Sequence, residues 1–305
     1  MDESPPPRGR FAPSPTGHLH FGSLVAAVAS YADARAAGGE WLVRIEDVDA
    51  PRTRRGAADA ILRALERHAM TWDGTIIHQS MRVDAYADAL AALSQHGLIY
   101  ECACTRRELA TAPIGRLGER VYAGTCRRGV DAARAKDRYC SLRVRVQDAP
   151  VAFDDRVFGR IAQRLARDVG DFVVRRSDAL FAYQLAVVVD DAAQGVTDVV
   201  RGGDLMSSTP RQLFLQRALA LSEPRYMHVP VAVDAHGAKL SKSTGAAALG
   251  RSPATALAAA WRFLGQVEST EPFGAPDAFW KWAIAHWQPA RIERRLAIRA
   301  ALPFA

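Results

Sequence analysis

Short apolar runs and helical stripes take turns along the first hundred positions of this chain. Arg10 to Pro13 reads as the end of a first strand, and His20 to Ala37 as an amphipathic helix stopped by Gly38-Gly39. Trp41 to Ile45 is a short apolar strand that runs into Glu46-Asp47-Val48-Asp49. Helical periodicity returns at about Arg55 to Met70 and from Arg82 to His96, the latter closed by Gly97. Strand, helix, strand, helix in this order predicts a parallel sheet with crossover helices.

From Tyr100 to about Tyr139 the periodicity is lost to cysteines, glycines and arginines, which predicts an insertion. Ser141 to Val146 alternates as a strand does, and a second α/β run begins near Phe172, with Leu185 to Val189 and Val196 to Val200 as apolar segments. A helix from about Pro210 to Leu221 leads to a strand at Met227 to Val233, and then to the loop Lys239-Leu240-Ser241-Lys242-Ser243. After Gly245 the chain turns alanine-rich, with candidate helices near Pro253 to Leu264, Pro276 to Trp287 and Pro289 to Ala301. The expected organisation is therefore one α/β domain in two halves, 8–100 and 141–244, interrupted by an insertion at 101–140 and followed by a short helical region at 245–305.

A chain of 305 residues can bury a sizeable core. No apolar stretch is long enough to span a bilayer and no apolar run follows the acidic start, so the reading is a soluble cytoplasmic protein without a membrane partner. Four cysteines in a chain of this size do not make a disulfide framework. The net charge of +7 suits a polyanionic partner such as nucleic acid, although an arginine-rich proteome would colour the surface in the same way. Of the 40 lysines and arginines only four are lysines, Lys136, Lys239, Lys242 and Lys281, and two of these share one five-residue segment.

That segment and the stretch from Arg10 to Ser23 carry the candidate chemistry. Gly17 and Gly22 let the backbone come close to a nucleotide, and the free amides at the helix start near His20 face its phosphates. His20 adds a side-chain donor. Lys239 and Lys242 place two compact point charges on long stems, able to follow a phosphate through a transition state. Together they describe an ATP site for adenylate formation, in which a carboxylate attacks the α-phosphorus and the departing pyrophosphate is met by pre-placed donors.

Charge also argues which carboxylate. An amino acid with an acidic side chain brings two negative ends and one ammonium, so its pocket needs two guanidiniums and one acid. Arg10, Glu46 and Arg201 fall at the carboxyl ends of expected strands, where open α/β sheets bind ligands, and Tyr183 could add a hydroxyl. Taken singly, each is more commonly a surface cation or a solvated acid. In the insertion, Cys102, Cys104 and Cys126 can make three corners of a tetrahedral zinc site in a segment poor in apolar residues. Spacing alone favours Cys140 as the fourth ligand.

His20-Phe21-Gly22-Ser23 and Lys239 to Ser243 resemble the two signature motifs of class I aminoacyl-tRNA synthetases. Arg-Ile-Glu-Asp-Val-Asp at Arg44 to Asp49 resembles a string of the glutamyl-tRNA synthetases. The resemblance implies an α/β fold: a class I synthetase Rossmann-like doubly wound parallel sheet, with a zinc-binding insertion and a short C-terminal helical region. It implies ATP binding by Pro13, Gly17, His20, Gly22, Ser23, Lys239, Ser241 and Lys242, with Mg²⁺ accompanying the nucleotide and His20, Lys239 and Lys242 catalytic. It also implies glutamate binding by Arg10, Phe11, Ala12, Pro13, Ser14, Glu46, Tyr183 and Arg201, and one structural Zn²⁺ on Cys102, Cys104, Cys126 and Tyr122.

From about Arg8 to Leu249 the pattern is most similar to the glutamyl-queuosine tRNA(Asp) synthetases, truncated paralogues of the glutamyl enzymes. What this implies is tRNA-independent activation of L-glutamate and its transfer to queuosine in the anticodon of tRNA(Asp), by a monomer. The tail of about 60 residues after the lysine loop cannot build the helical domain with which full-length glutamyl-tRNA synthetases read an anticodon. A compact glutamyl-tRNA synthetase charging a tRNA 3' end, an adenylate-forming ligase with a small amine acceptor, and a non-catalytic tRNA-binding relic would share parts of the pattern.

Overall fold

The computed structural model describes residues 6–115, 118–131, 139–240, 249 and 252–300. The first half of the chain carries strands β1 (Arg8–Phe11), β2 (Glu40–Ile45), β3 (Ile77–His78), β4 (Ile99–Cys102), β5 (Ser141–Val144) and β6 (Pro150–Asp155). The second half carries β7 (Gly159–Arg164), β8 (Phe172–Arg175), β9 (Asp198–Gly202), β10 (Arg225–Val229), β11 (Val231–Val233) and β12 (Ala297–Arg299). The α-helices are α1 (Phe21–Ala36), α2 (Ala57–Arg67), α3 (Val83–Gln95), α4 (Arg106–Leu109), α5 (Leu165–Asp168), α6 (Tyr183–Ala193), α7 (Thr209–Ala218), α8 (Pro253–Phe263) and α9 (Pro276–Ala285).

The central sheet has the order β3-β2-β1-β9-β10-β6-β7. From β3 to β6 its neighbours pair in parallel, and β6 and β7 close the edge as an antiparallel hairpin. Strands covered on both faces read as near-continuous apolar runs, as in β2, where the five residues from Trp41 to Ile45 are buried and only Arg44 among them is charged. The chain leaves β1 for β2 on one side and pairs β1 with β9 on the other. The carboxyl ends of β1 and β9 therefore part at a switch point and open a crevice above the sheet.

Helix α1 forms one wall of that crevice. Sequence periodicity predicts an amphipathic helix here, but the structure corrects this: the helix is buried nearly all round, with Leu24, Val25, Ala27, Val28, Ala29, Ala32 and Ala34 all inside. Its inner face lies on the sheet, and its outer face is covered by α8 and α9. Trp280 Nε1 donates to His68 O at 2.8 Å, and Trp287 Nε1 to Asp33 Oδ1 at 2.9 Å, so the tail is fastened to the first half-domain by hydrogen bonds from two indoles. Asp33 also accepts a two-pronged bond from Arg156 at 2.5 and 2.8 Å.

Other expectations shift. The helix expected at Pro289 to Ala301 is a single 3-10 turn, Pro289–Arg291, followed by β12, which pairs in parallel with β11. The stretch Arg291 to Arg295 is charged except for Ile292, so it has no stripe with which to seat a helix, and partnership with β11 decides its form. The strand expected at Met227 to Val233 breaks at Pro230 into β10 and β11, because proline gives a ladder no N–H donor. The β6–β7 hairpin went unforeseen; β6 buries alternate residues, Val151, Phe153 and Asp155. The insertion is bordered by a three-stranded antiparallel sheet, β4-β5-β8.

Candidate active site

A cavity of about 640 Å³ opens at the switch point. All eight residues expected to bind an acidic amino acid line it: Arg10, Phe11, Ala12, Pro13, Ser14, Glu46, Tyr183 and Arg201. Of those expected at a nucleotide, Pro13, His20, Gly22, Ser23 and Lys239 line the same cavity, and Gly17 lies between two lining residues, Thr16 and His18. Ser241, Lys242 and Ser243 lie outside the described residues.

The turn between β1 and α1 is set by backbone geometry. Gly17 has φ of 148°, a conformation that side chains disfavour. Pro13 O accepts from Glu46 N at 3.0 Å and Pro15 O from Arg54 N at 2.9 Å, which ties the turn to the segment after β2. His20 is the N-cap of α1: its Nδ1 accepts from Ser23 N at 3.3 Å, and its Nε2 lies 3.0 Å from Ser23 Oγ. The imidazole thus occupies the positive end of a helix, where anions bind.

Lys239 reaches the cavity from the other half of the chain. Val233 and Lys239 form an antiparallel bridge across a turn in which Asp234 Oδ1 accepts from His236 N and Ala238 N at 2.8 and 2.9 Å. Lys239 Nζ meets Asp204 Oδ2 at 2.5 Å on the rim, and both side chains are more than a third exposed.

Beneath the cavity lies a buried charge network. Arg10 Nε donates to Asp191 Oδ1 at 3.2 Å. The same oxygen receives Arg44 Nη2 at 2.8 Å, and Arg44 also reaches Glu46 Oε1 at 3.4 Å and Gln194 Oε1 at 2.6 Å. Burial acts to raise the Asp191 carboxyl, but Arg10 and Arg44 outweigh it and hold the acid below its usual range. Glu46 goes the other way: burial raises it, and the pull of Arg44 and Arg10 does not fully compensate. The neighbouring Asp190 receives Gln79 Nε2 at 2.9 Å, Tyr86 Oη at 2.7 Å and Arg82 Nε at 2.5 Å. Arg201 is buried between His228 and Thr209.

Sequence reasoning missed Arg44, Asp190, Asp191, Asp155 and His228 as parts of this site. A signal existed for three of them: Arg44 interrupts an apolar strand, and Asp190 and Asp191 end an apolar helical run. Charged groups in such places are buried and partnered, or the element does not form.

Apart from the cavity, Cys102, Cys104 and Cys126 hold their sulfur atoms within 4.8 Å of one another. Cys104 and Cys126 are 3.7 Å apart, and thiolates about 2.3 Å from a tetrahedral zinc would be separated by ~3.8 Å, so the trio fits that ion. Tyr122 Oη lies 3.4 Å from Cys102 Sγ and 3.9 Å from Cys104 Sγ, and accepts from Cys126 N at 2.9 Å. Cys140 is not among the clustered sulfurs. Burial opposes ionisation of Cys102, but hydrogen bonds led by that from Tyr122 bring it down to about 7.

Residues 8–252 match the family described as tRNA synthetases class I (E and Q), catalytic domain. A glutamyl-Q tRNA(Asp) synthetase of Dechloromonas aromatica is 55% identical over 297 residues, 96% of this chain and 98% of the relative. One of Thiobacillus denitrificans is 54% identical over 281 residues, 92% of each. A glutamate-tRNA synthetase structure from Elizabethkingia anophelis superposes with a TM-score of 0.80 at 21% identity, covering 97% of this chain and 68% of that one, a likeness of fold. The chain belongs to the glutamyl-Q tRNA(Asp) synthetase family, within the class I tRNA synthetases.

Proposed function

We propose that the chain activates L-glutamate with ATP, without tRNA, and transfers the glutamyl group to the queuosine base in the anticodon of tRNA(Asp). The observation that carries this is the switch-point cavity, where two buried guanidiniums, Arg10 and Arg201, and one carboxylate, Glu46, border the N-terminus of α1. The pattern is the charge complement of glutamate beside a phosphate-binding helix end. The acceptor is supported by the relatives, which carry that name and align over nearly their full length.

In this reading Arg10 and Arg201 meet the two carboxylates of glutamate, Glu46 faces its ammonium, and Phe11, Ala12, Pro13, Ser14 and Tyr183 shape the pocket. The reacting carboxylate is already ionised at neutral pH, so no general base is required. It attacks the α-phosphorus of ATP while His20, the amides at the start of α1, Lys239 and Lys242 oppose the charge that grows on pyrophosphate. Mg²⁺ accompanying ATP would supply further positive charge to the phosphates. Zn²⁺ on Cys102, Cys104, Cys126 and Tyr122 would hold together the insertion at 101–140, with no open position for chemistry. The protein acts as a cytoplasmic monomer.

The test is ATP–pyrophosphate exchange in the absence of tRNA. Exchange that depends on glutamate and not on glutamine or aspartate supports the activity; no exchange with any amino acid overturns it.

A further inference from the structure

Three of the hydrogen-bonding sides of Arg201 are occupied by the protein. Its Nε donates to His228 Nε2 at 3.1 Å, and its Nη2 donates to Thr209 Oγ1 at 2.8 Å and to Leu205 O at 3.4 Å. Nη1 is buried with no hydrogen-bond partner among the described residues, in a side chain that lines the cavity.

A guanidinium can only donate, so the His228 nitrogen facing it must carry the lone pair. The ring proton is then on Nδ1, which donates to Asp155 Oδ2 at 2.7 Å. Asp155 is itself fixed by main-chain donors: Oδ2 accepts from His228 N at 3.0 Å, and Oδ1 from Val157 N and Phe158 N at 3.0 and 2.9 Å. The side chains of His228 and Asp155 have no exposed surface. Sheet register brings them together, since His228 is the β10 partner of Arg201, and Asp155 pairs with Tyr226 two residues away. Burial lowers the His228 pKa and Arg201 lowers it further, against the pull of Asp155, which agrees with a neutral ring.

We propose that Asp155 and His228 are positioning residues that act through Arg201: the carboxylate fixes the histidine tautomer, and the lone-pair nitrogen aims Nη1 of Arg201 at a carboxylate of the bound amino acid. This rests on the reading of Arg201 as a glutamate ligand. Asp155→Asn offers an amide in place of the carboxylate, which favours the proton on Nε2, where it confronts the Arg201 donor. His228→Phe removes the acceptor, and His228→Gln restores one.

The experiment compares the glutamate and ATP KM values of the three variants and the wild type in tRNA-free exchange, with melting curves to establish folding at the assay temperature. D155N and H228F are expected to raise the glutamate KM by roughly 10- to 100-fold, by analogy with losing a group that orients a metal-ligating side chain, with the ATP KM unchanged. H228Q is expected to recover part of the loss. If H228F does not fold, D155N and H228Q decide the matter. An unchanged glutamate KM in D155N, or parallel rises for glutamate and ATP, overturns the relay. Absence of glutamate-dependent exchange in the wild type would instead overturn the activity.

Discussion

The carbonyl oxygen of Leu240 rests against Gly22: a Cβ built on that glycine would stand 3.3 Å from the oxygen and 3.4 Å from the His20 ring. The start of the lysine segment and the mouth of α1, far apart in the chain, are thus in close contact, and only a residue without a side chain fits the gap comfortably. Gly22→Ala should push the two apart by a few tenths of an ångström. Because misplacing a catalytic group by about 1 Å can cost ~100-fold, a roughly tenfold rise in ATP KM or fall in kcat is expected, with glutamate KM near the wild-type value. Exchange kinetics at varied ATP would reveal it; identical ATP parameters would mean that the contact is only packing.

Lys239 is paired with Asp204 in a half-exposed ion pair, an interaction worth about 1 kcal/mol or less. Replacing Lys239 or Lys242 by alanine should lower the activation rate by roughly 10²- to 10³-fold, as loss of one pre-placed donor does elsewhere, and leave glutamate affinity little changed. Single-turnover adenylate formation measures this directly. A wild-type rate in both variants would remove the segment from the mechanism.

Glu46 gives the site a pH dependence. Burial raises its pKa above the free value of 4.5, with Arg44 and Arg10 opposing the shift and Asp191 adding to it. An acid with a raised pKa takes up its proton early on acidification, and a neutral Glu46 would lose its attraction for the ammonium proposed to face it. Glutamate KM should therefore climb as pH falls through that raised pKa, while Glu46→Gln should have a high KM with a flatter profile. For stability the sign is reversed. The buried carboxylate opposes folding at neutral pH, and this cost is relieved as pH falls through the folded pKa towards the unfolded one.

The cysteine cluster predicts a dependence on metal. Chelation, or Cys102→Ser or Cys126→Ser, should lower the melting temperature and release about one equivalent of zinc, because a structural site contributes its binding energy to folding. Cys140→Ser should leave the metal content unchanged, and Tyr122→Phe should weaken retention. Metal analysis beside thermal melting separates these cases, and an unchanged melting curve after complete chelation would refute a structural role.

What could be read from the sequence was local. The strand ends bearing Glu46 and Arg201 were legible because each follows an apolar run, and the first strand end near Arg10 and the α1 turn because glycine and proline have few alternative uses. Of the second lysine motif, Lys239 lines the cavity, and Ser241, Lys242 and Ser243 lie outside the described residues. The supports behind these groups were not. Asp155, Arg201 and His228 are distant in sequence and meet only through the register of β6, β9 and β10, and Arg44 of β2 reaches Asp191 of α6 only across the assembled fold. The helix expected at Pro289 to Ala301 failed for a similar reason, since pairing with β11 outweighs weak local preference.

The most direct test of the whole account is transfer of labelled glutamate to purified tRNA(Asp) with and without queuosine, alongside tRNA(Glu). The account predicts label on tRNA(Asp) only when queuosine is present, resistant to removal of the 3' terminal adenosine. Label on tRNA(Glu) that is lost with that adenosine would contradict it and identify a compact enzyme that charges tRNA ends.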